Sequence, residues 1–126
     1  MWRVLLVGCG GFLGAVSRYG VSTLLNAHTD GEFPWGTWAV NVLGAFLIGF
    51  LSQAMQALCP ERKNLLAFCT TGILGGFTTF STFSLETVNL LQSGELVWGC
   101  LNVALNVGCC LAGVLAGKLL AQALFC

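Results

Sequence analysis

Phe77, Phe80 and Phe83 recur at three-residue spacing through a stretch that also holds Thr78, Thr79, Ser81, Thr82 and Ser84. On a continuous helix, neighbouring rings at that spacing fall on adjoining parts of one face. Rings alone would make a packing surface. Interleaved with hydroxyls, they make a wall that alternates ring edges with hydrogen-bonding groups. A phenyl edge carries the positive part of the ring quadrupole, so an anion can rest against it without a formal charge to trap it. Such a wall suits a small, strongly hydrated anion whose water shell the hydroxyls replace.

The other polar groups set in apolar surroundings fit the same chemistry. Asn41 can donate two N–H groups to an anion, and a lone amide inside an apolar run needs a partner of some kind. Asn102 and Asn106 stand at i and i+4. Arg18 and Glu86 are ionisable groups within apolar segments, where they are expensive and functional by default. Arg18, about two turns from its helix end, either lines a vestibule or snorkels to the interface. Glu86, one turn beyond Phe83, is expected either to cap the polar face or to pair with Arg18 or Lys118. Lys118 reads as an interfacial anchor.

No catalytic constellation is visible. The single histidine is His28, there are no paired carboxylates, and the seven cysteines form no C-x-x-C and lie mostly in apolar runs, where cysteine acts as a small hydrophobe. The chain reads as a non-enzyme.

The elements that must position these residues follow from composition. Of 126 residues, 56% are hydrophobic and 8% charged, with five basic against five acidic side chains and a mean hydropathy of +0.85. A soluble domain is about a quarter charged, so this chain cannot cover a water-facing surface. Scattered basic residues without net charge also exclude a phosphate-neutralising patch, and with it nucleic acid. The partner is the lipid bilayer.

A bilayer core of ~30 Å takes about 20 apolar residues in a helix. Four segments qualify: Val4 to Ala27, Trp35 to Leu58, Leu65 to about Leu91, and Leu96 to about Ala123. Residues 1–126 thus form a single four-helix transmembrane domain with short connections. Arg3 ahead of an apolar run resembles a signal peptide, but Arg18 and the absence of a small-x-small cleavage site make an uncleaved helix the simpler reading. Arg3, Arg62, Lys63 and Lys118 fall on the side of both termini and Arg18 near the other, a modest bias that favours cytoplasmic termini. A chain so weakly biased can insert both ways round.

Gly8, Gly10, Gly11 and Gly14 imitate a dinucleotide-binding turn, with Asp30 at the distance of a ribose-binding acid. They sit instead within a helix-length apolar run, and the Gly10/Gly14 and Gly11/Ala15 pairs have the small-xxx-small spacing of close-packed membrane helices. The third segment differs. Gly75 and Gly76 precede a dense run of hydroxyls, a poor sequence for continuous helix, and predict a break near Gly75 to Thr79. Broken helices survive at membrane depth only inside protein or beside a wet cavity, and their freed carbonyls can coordinate ions.

Three stretches carry a family resemblance: Gly75-Gly76-Phe77-Thr78-Thr79-Phe80-Ser81-Thr82-Phe83-Ser84, Gly10-Gly11-Phe12-Leu13-Gly14-Ala15-Val16-Ser17-Arg18-Tyr19, and Gly36-Thr37-Trp38-Ala39-Val40-Asn41. With them the chain resembles the Fluc (CrcB) family of fluoride channels over its full length. The resemblance implies an all-α membrane protein with four transmembrane helices per chain and a broken third helix, assembled as an antiparallel dual-topology homodimer with two fluoride pores. It implies passive export of fluoride from the bacterial inner membrane, giving resistance to fluoride toxicity. It implies a structural Na+ at the dimer interface, held by the backbone carbonyls of Gly75 and Thr78. In the pore it implies Phe80 and Phe83 as the phenylalanine pair, Asn41 as the second-span amide, and a polar track of Ser81, Thr82 and nearby hydroxyls, here Thr79. Arg18, Glu86 and Asn106 complete the candidate set. The fourth span departs from the family pattern, with Asn102, Asn106, Gly108 and Cys110 where a tyrosine, a histidine or serines are common. The competing reading is a proton-coupled exporter of the small multidrug type, with Glu86 standing in for a first-span carboxylate; a third is a non-transporting subunit of a larger complex.

Overall fold

A computed structural model describes residues 1–126, which are helical apart from short connections. Helix α1 runs Trp2–His28 and α2 Trp35–Leu58, with Pro34 at the cap position of α2, where its missing N–H is no loss. The third span, Lys63–Gln92, is composite: α3 (Lys63–Ala67), a π-helical stretch (Phe68–Leu74), α4 (Gly75–Phe77) and α5 (Phe80–Gln92). Helix α6 runs Leu96–Phe125. The four spans contain 27, 24, 30 and 30 residues, each long enough to cross a bilayer.

The α5–α6 corner shows how the sequence sets its own boundaries. Gly94 takes φ +89°, a left-handed conformation that glycine adopts without penalty. The Gly94 N–H then donates to the Leu91 carbonyl at 3.3 Å and the Glu95 N–H to the Leu90 carbonyl at 2.9 Å. These two bonds are the Schellman pattern, which satisfies carbonyls that the helix end would leave orphaned.

Glycine also decides which helices touch. A Cβ at Gly10 would lie 2.7 Å from the Phe68 carbonyl oxygen, and one at Gly76 would lie 2.5 Å from that of Gly11. Backbone therefore packs directly on backbone between α1 and the first half of the third span, along the two small-residue stripes the sequence displays. The most extensive packing joins α2 to α6, where Gly49 abuts Val114 and Gly117 abuts Phe46.

The break in the third span falls at Thr78 and Thr79, at the C-terminal end of the expected window. Thr78 has ψ 158° and Thr79 φ −151°, ψ 115°, both extended. Gly75 and Gly76 stay helical, and their smallness serves contact with α1 rather than the break itself. The π-helical stretch just upstream was not legible in the sequence. The break also overturns the expectation of a three-ring face. Phe77 is buried on the α4 side, while Phe80 and Phe83 start the next helix, so the three-residue spacing does not carry across.

Only 23 of the 126 residues are buried within the chain, so most of its apolar surface is left for lipid or for another protein surface.

Candidate functional site

The break at Thr78–Thr79 is held open by side chains that replace helical hydrogen bonds. In a continuous helix the Thr79 N–H would donate to the Gly75 carbonyl and the Thr82 N–H to that of Thr78. Instead Thr79 N–H donates to Asn41 Oδ1 at 2.7 Å, and Thr82 N–H donates to the Thr79 hydroxyl at 3.2 Å, an N-cap for α5. The carbonyls of Gly75 and Thr78 lose their helical donors as a result. That of Thr78 accepts from Arg18 Nη1 at 3.2 Å, which turns the Arg18 guanidinium toward the break rather than the interface.

Asn41 is the clamp on the other side. Its Nδ2 donates both to the Thr79 carbonyl and to Asn106 Oδ1, each at 3.0 Å, so together with its Oδ1 the amide grips the Thr79 peptide from α2. The two N–H groups expected to face an anion are engaged within the protein. They reach an ion only by exchanging one of these partners.

A groove of about 390 Å³ opens beside this clamp, lined among others by Asn41, Gly75, Thr78, Phe80, Phe83 and Asn106. The Phe80 ring is 75% exposed and the Phe83 ring 7%, with centroids 5.3 Å apart and planes at 58°. Thr79 sits beneath them, its hydroxyl donating to Thr82 Oγ1 at 2.9 Å, with Ser81 Oγ 3.4 Å away. The groove thus brings together two tilted rings, the threonines Thr78 and Thr79, the amides of Asn41 and Asn106, and Gly75, with no acidic group among its lining residues. Ser81 and Thr82, expected along the pore, lie outside that lining and meet it only through the Thr79 hydroxyl.

Glu86 stands apart from the groove. Its expected ionic pairing with Arg18 or Lys118 does not form; Arg18 is engaged at Thr78 and Lys118 is exposed on α6. Its Oε1 accepts instead from the Thr37 hydroxyl at 2.8 Å, and its Oε2 is buried without a partner in the chain. Thr37 lies one turn before Asn41 on α2, a spacing that could have nominated it. Asn102 and Thr87 also lie outside the sequence-based site set. Asn102 donates to Thr87 Oγ1 at 2.9 Å and accepts from Asn106 Nδ2 at 2.8 Å, and its i, i+4 spacing to Asn106 was the signal for this contact.

Four apolar spans, one broken at mid-length beside a groove of rings, hydroxyls and amides, define a polytopic membrane protein built to pass a small polar species. A family model described as CrcB-like protein, Camphor Resistance (CrcB), matches residues 5–118. The chain is 57% identical over 122 residues to the fluoride-specific ion channel of Ruminiclostridium cellulolyticum, covering 97% of this chain and 94% of that one. It is 47% identical over 121 residues to the channel of the same name from Clostridium perfringens, covering 96% and 94%, and 42% identical over 124 residues to that of Rhizobium meliloti, covering 98% and 99%. The chain belongs to the CrcB family of fluoride-specific ion channels.

Proposed function

We propose that the chain is a fluoride-selective channel of the membrane, conducting F⁻ passively along the groove lined by Phe80, Phe83, Thr79 and Asn41, with the hydroxyls of Ser81 and Thr82 bonded to Thr79 at its edge. The observation that carries this reading is the Phe80–Phe83 pair beside the hydroxyl cluster, a path with partial positive edges, exchangeable donors and no carboxylate. Fluoride crosses membranes as neutral HF and loses its proton inside, where the anion is trapped. A membrane potential of about 100 mV, negative inside, drives each anion outward by ~2.3 kcal/mol, so a passive pore suffices for detoxification.

The functional unit is an antiparallel homodimer. Its support is the exposed Phe80 ring, the outward-facing groove and the small buried core, which together leave a single chain with half a pore wall. A structural Na+ at the dimer interface fits the break. The carbonyls of Gly75 and Thr78 have lost their helical donors, that of Thr78 accepting from Arg18 on one side; both residues line the groove, and a second copy would bring the same pair. When bound, Na+ supplies fixed positive charge there, beside the guanidinium of Arg18. The exporter alternative needs a carboxylate on the transport path, and Glu86 is instead bonded to Thr37 outside the groove lining.

Efflux from liposomes loaded with fluoride or chloride, with K⁺ and valinomycin dissipating voltage and no pH gradient, tests the reading. Fast fluoride release with chloride retained is expected. Release that requires a proton gradient and is abolished by Glu86→Gln would replace the channel with an exporter.

A further inference from the structure

Four buried polar side chains, those of Asn41, Asn106, Asn102 and Thr87, form one hydrogen-bonded circuit whose two ends close on backbone groups of the same helical turn. Asn41 accepts from the Thr79 N–H and donates to the Thr79 carbonyl; Asn41 Nδ2 also donates to Asn106 Oδ1, Asn106 Nδ2 to Asn102 Oδ1, and Asn102 Nδ2 to Thr87 Oγ1. The Thr87 hydroxyl then donates to the Phe83 carbonyl at 2.8 Å. Thr79 and Phe83 bracket the turn that carries Phe80, Ser81 and Thr82. Helices α2 and α6 therefore grip that turn from both ends.

The circuit has one direction. At one end a peptide N–H can only donate, so Asn41 must offer it Oδ1 and turn Nδ2 toward Asn106. At the other end the Thr87 proton is committed to the Phe83 carbonyl, so Thr87 Oγ1 can only accept and Asn102 must offer it Nδ2. Each amide between then has one consistent orientation, and the two ends demand the same one. Asn102 is fully buried and does not line the groove, so it cannot meet the ion itself.

The geometry points to Asn102 and Thr87 as positioning residues for conduction. They fix the orientation of Asn106 and through it the amide of Asn41, and they set how readily an Asn41 N–H can leave a protein partner for a passing anion. This inference rests on the channel reading, in which Asn41 borders the fluoride path. The fourth-span asparagines thereby acquire a role that requires no contact with fluoride.

The test uses purified full-length protein in liposomes, with monodispersity and thermal melting followed alongside. Thr87→Ser keeps the accepting hydroxyl and is expected to conduct within about twofold of the parent chain. Thr87→Val, nearly the same shape, and Asn102→Leu are expected to slow fluoride release about tenfold, the scale of one lost buried hydrogen bond. In an Asn41→Ser background, Asn102→Leu is expected to add no further slowing, because the group it acts through is gone. Undiminished release by both Thr87→Val and Asn102→Leu would overturn the inference, as would slowing that multiplies with Asn41→Ser, the mark of a separate structural effect. An Asn41→Ser variant that conducts normally would likewise overturn the inference, since the group it acts through would not matter, whereas a parent chain that releases no fluoride would overturn the channel reading beneath it.

Discussion

The Phe80 and Phe83 side chains have unequal settings, and this makes their roles separable. Phe83 is packed against the bundle, whereas Phe80 projects from the groove. Replacing either by isoleucine keeps apolar bulk but removes the ring edge. If the edge lowers the barrier by about 1.4 kcal/mol, fluoride flux falls about tenfold. Efflux from liposomes should show that loss for both variants with elution unchanged, and undiminished flux would take the rings out of the mechanism. Asn41→Leu acts differently, since it strands the N–H of Thr79 in a buried site, whereas the Thr79 carbonyl keeps the first hydrogen bond of α5. An unsatisfied buried group costs about 1–3 kcal/mol, so this variant should melt well below the parent chain in detergent. The amide at Asn41 was legible in the sequence as a mid-span polar group. That its hydrogens are held by Thr79 and Asn106 was not, because those partners come from the third and fourth spans, 38 and 65 residues away.

At the scale of elements, the four spans were legible because the bilayer imposes a length that apolar runs either meet or do not. The break was legible to within a few residues, since glycines followed by hydroxyls weaken a helix. Its exact seat was set by long-range capture: Asn41 takes the Thr79 N–H, and the Thr79 hydroxyl caps α5. The π-helical stretch from Phe68 to Leu74 left no signature, because a widened turn depends on what packs against it, here Gly10 and its neighbours on α1. Two predictions belong here. Thr79→Val removes only the cap and the hydroxyl pair, and should lower stability by about 1 kcal/mol with reduced fluoride flux. Gly14→Ala places a Cβ inside the Ile73 carbonyl and 2.8 Å from the Phe77 nitrogen, so α1 must retreat from the third span. Overpacking of this kind costs about 1–3 kcal/mol. Thermal melting checks both, and a Gly14→Ala protein as stable as the parent would show that the two backbones are not held at this distance.

At the scale of the molecule, the groove faces outward, and the proposed dimer is what would complete it. A second copy inserted in the opposite orientation would face the first across a two-fold axis in the membrane plane, placing both copies of Gly75 and Thr78 at a shared centre. Such a dimer requires chains of both orientations in one membrane, and therefore a charge bias too weak to choose between them. Arg3, Arg62, Lys63 and Lys118 against Arg18 lean one way, yet the connections are short and carry few charges. Cys59, in the connection between α2 and α3, reports orientation directly once the other six cysteines are replaced by serine or alanine. An impermeant thiol reagent added outside whole cells should label about half of the protein, and permeabilisation should release the rest, as equal populations require. Adding two lysines to the connection between α1 and α2 should oppose the existing bias, while two in the connection at Cys59 should reinforce it and drive labelling toward one side. In the second case fluoride efflux from the same cells should fall in parallel, since chains of a single orientation cannot find an inverted partner. Labelling wholly from one side in the parent chain, with flux intact, would require a pore completed without inversion.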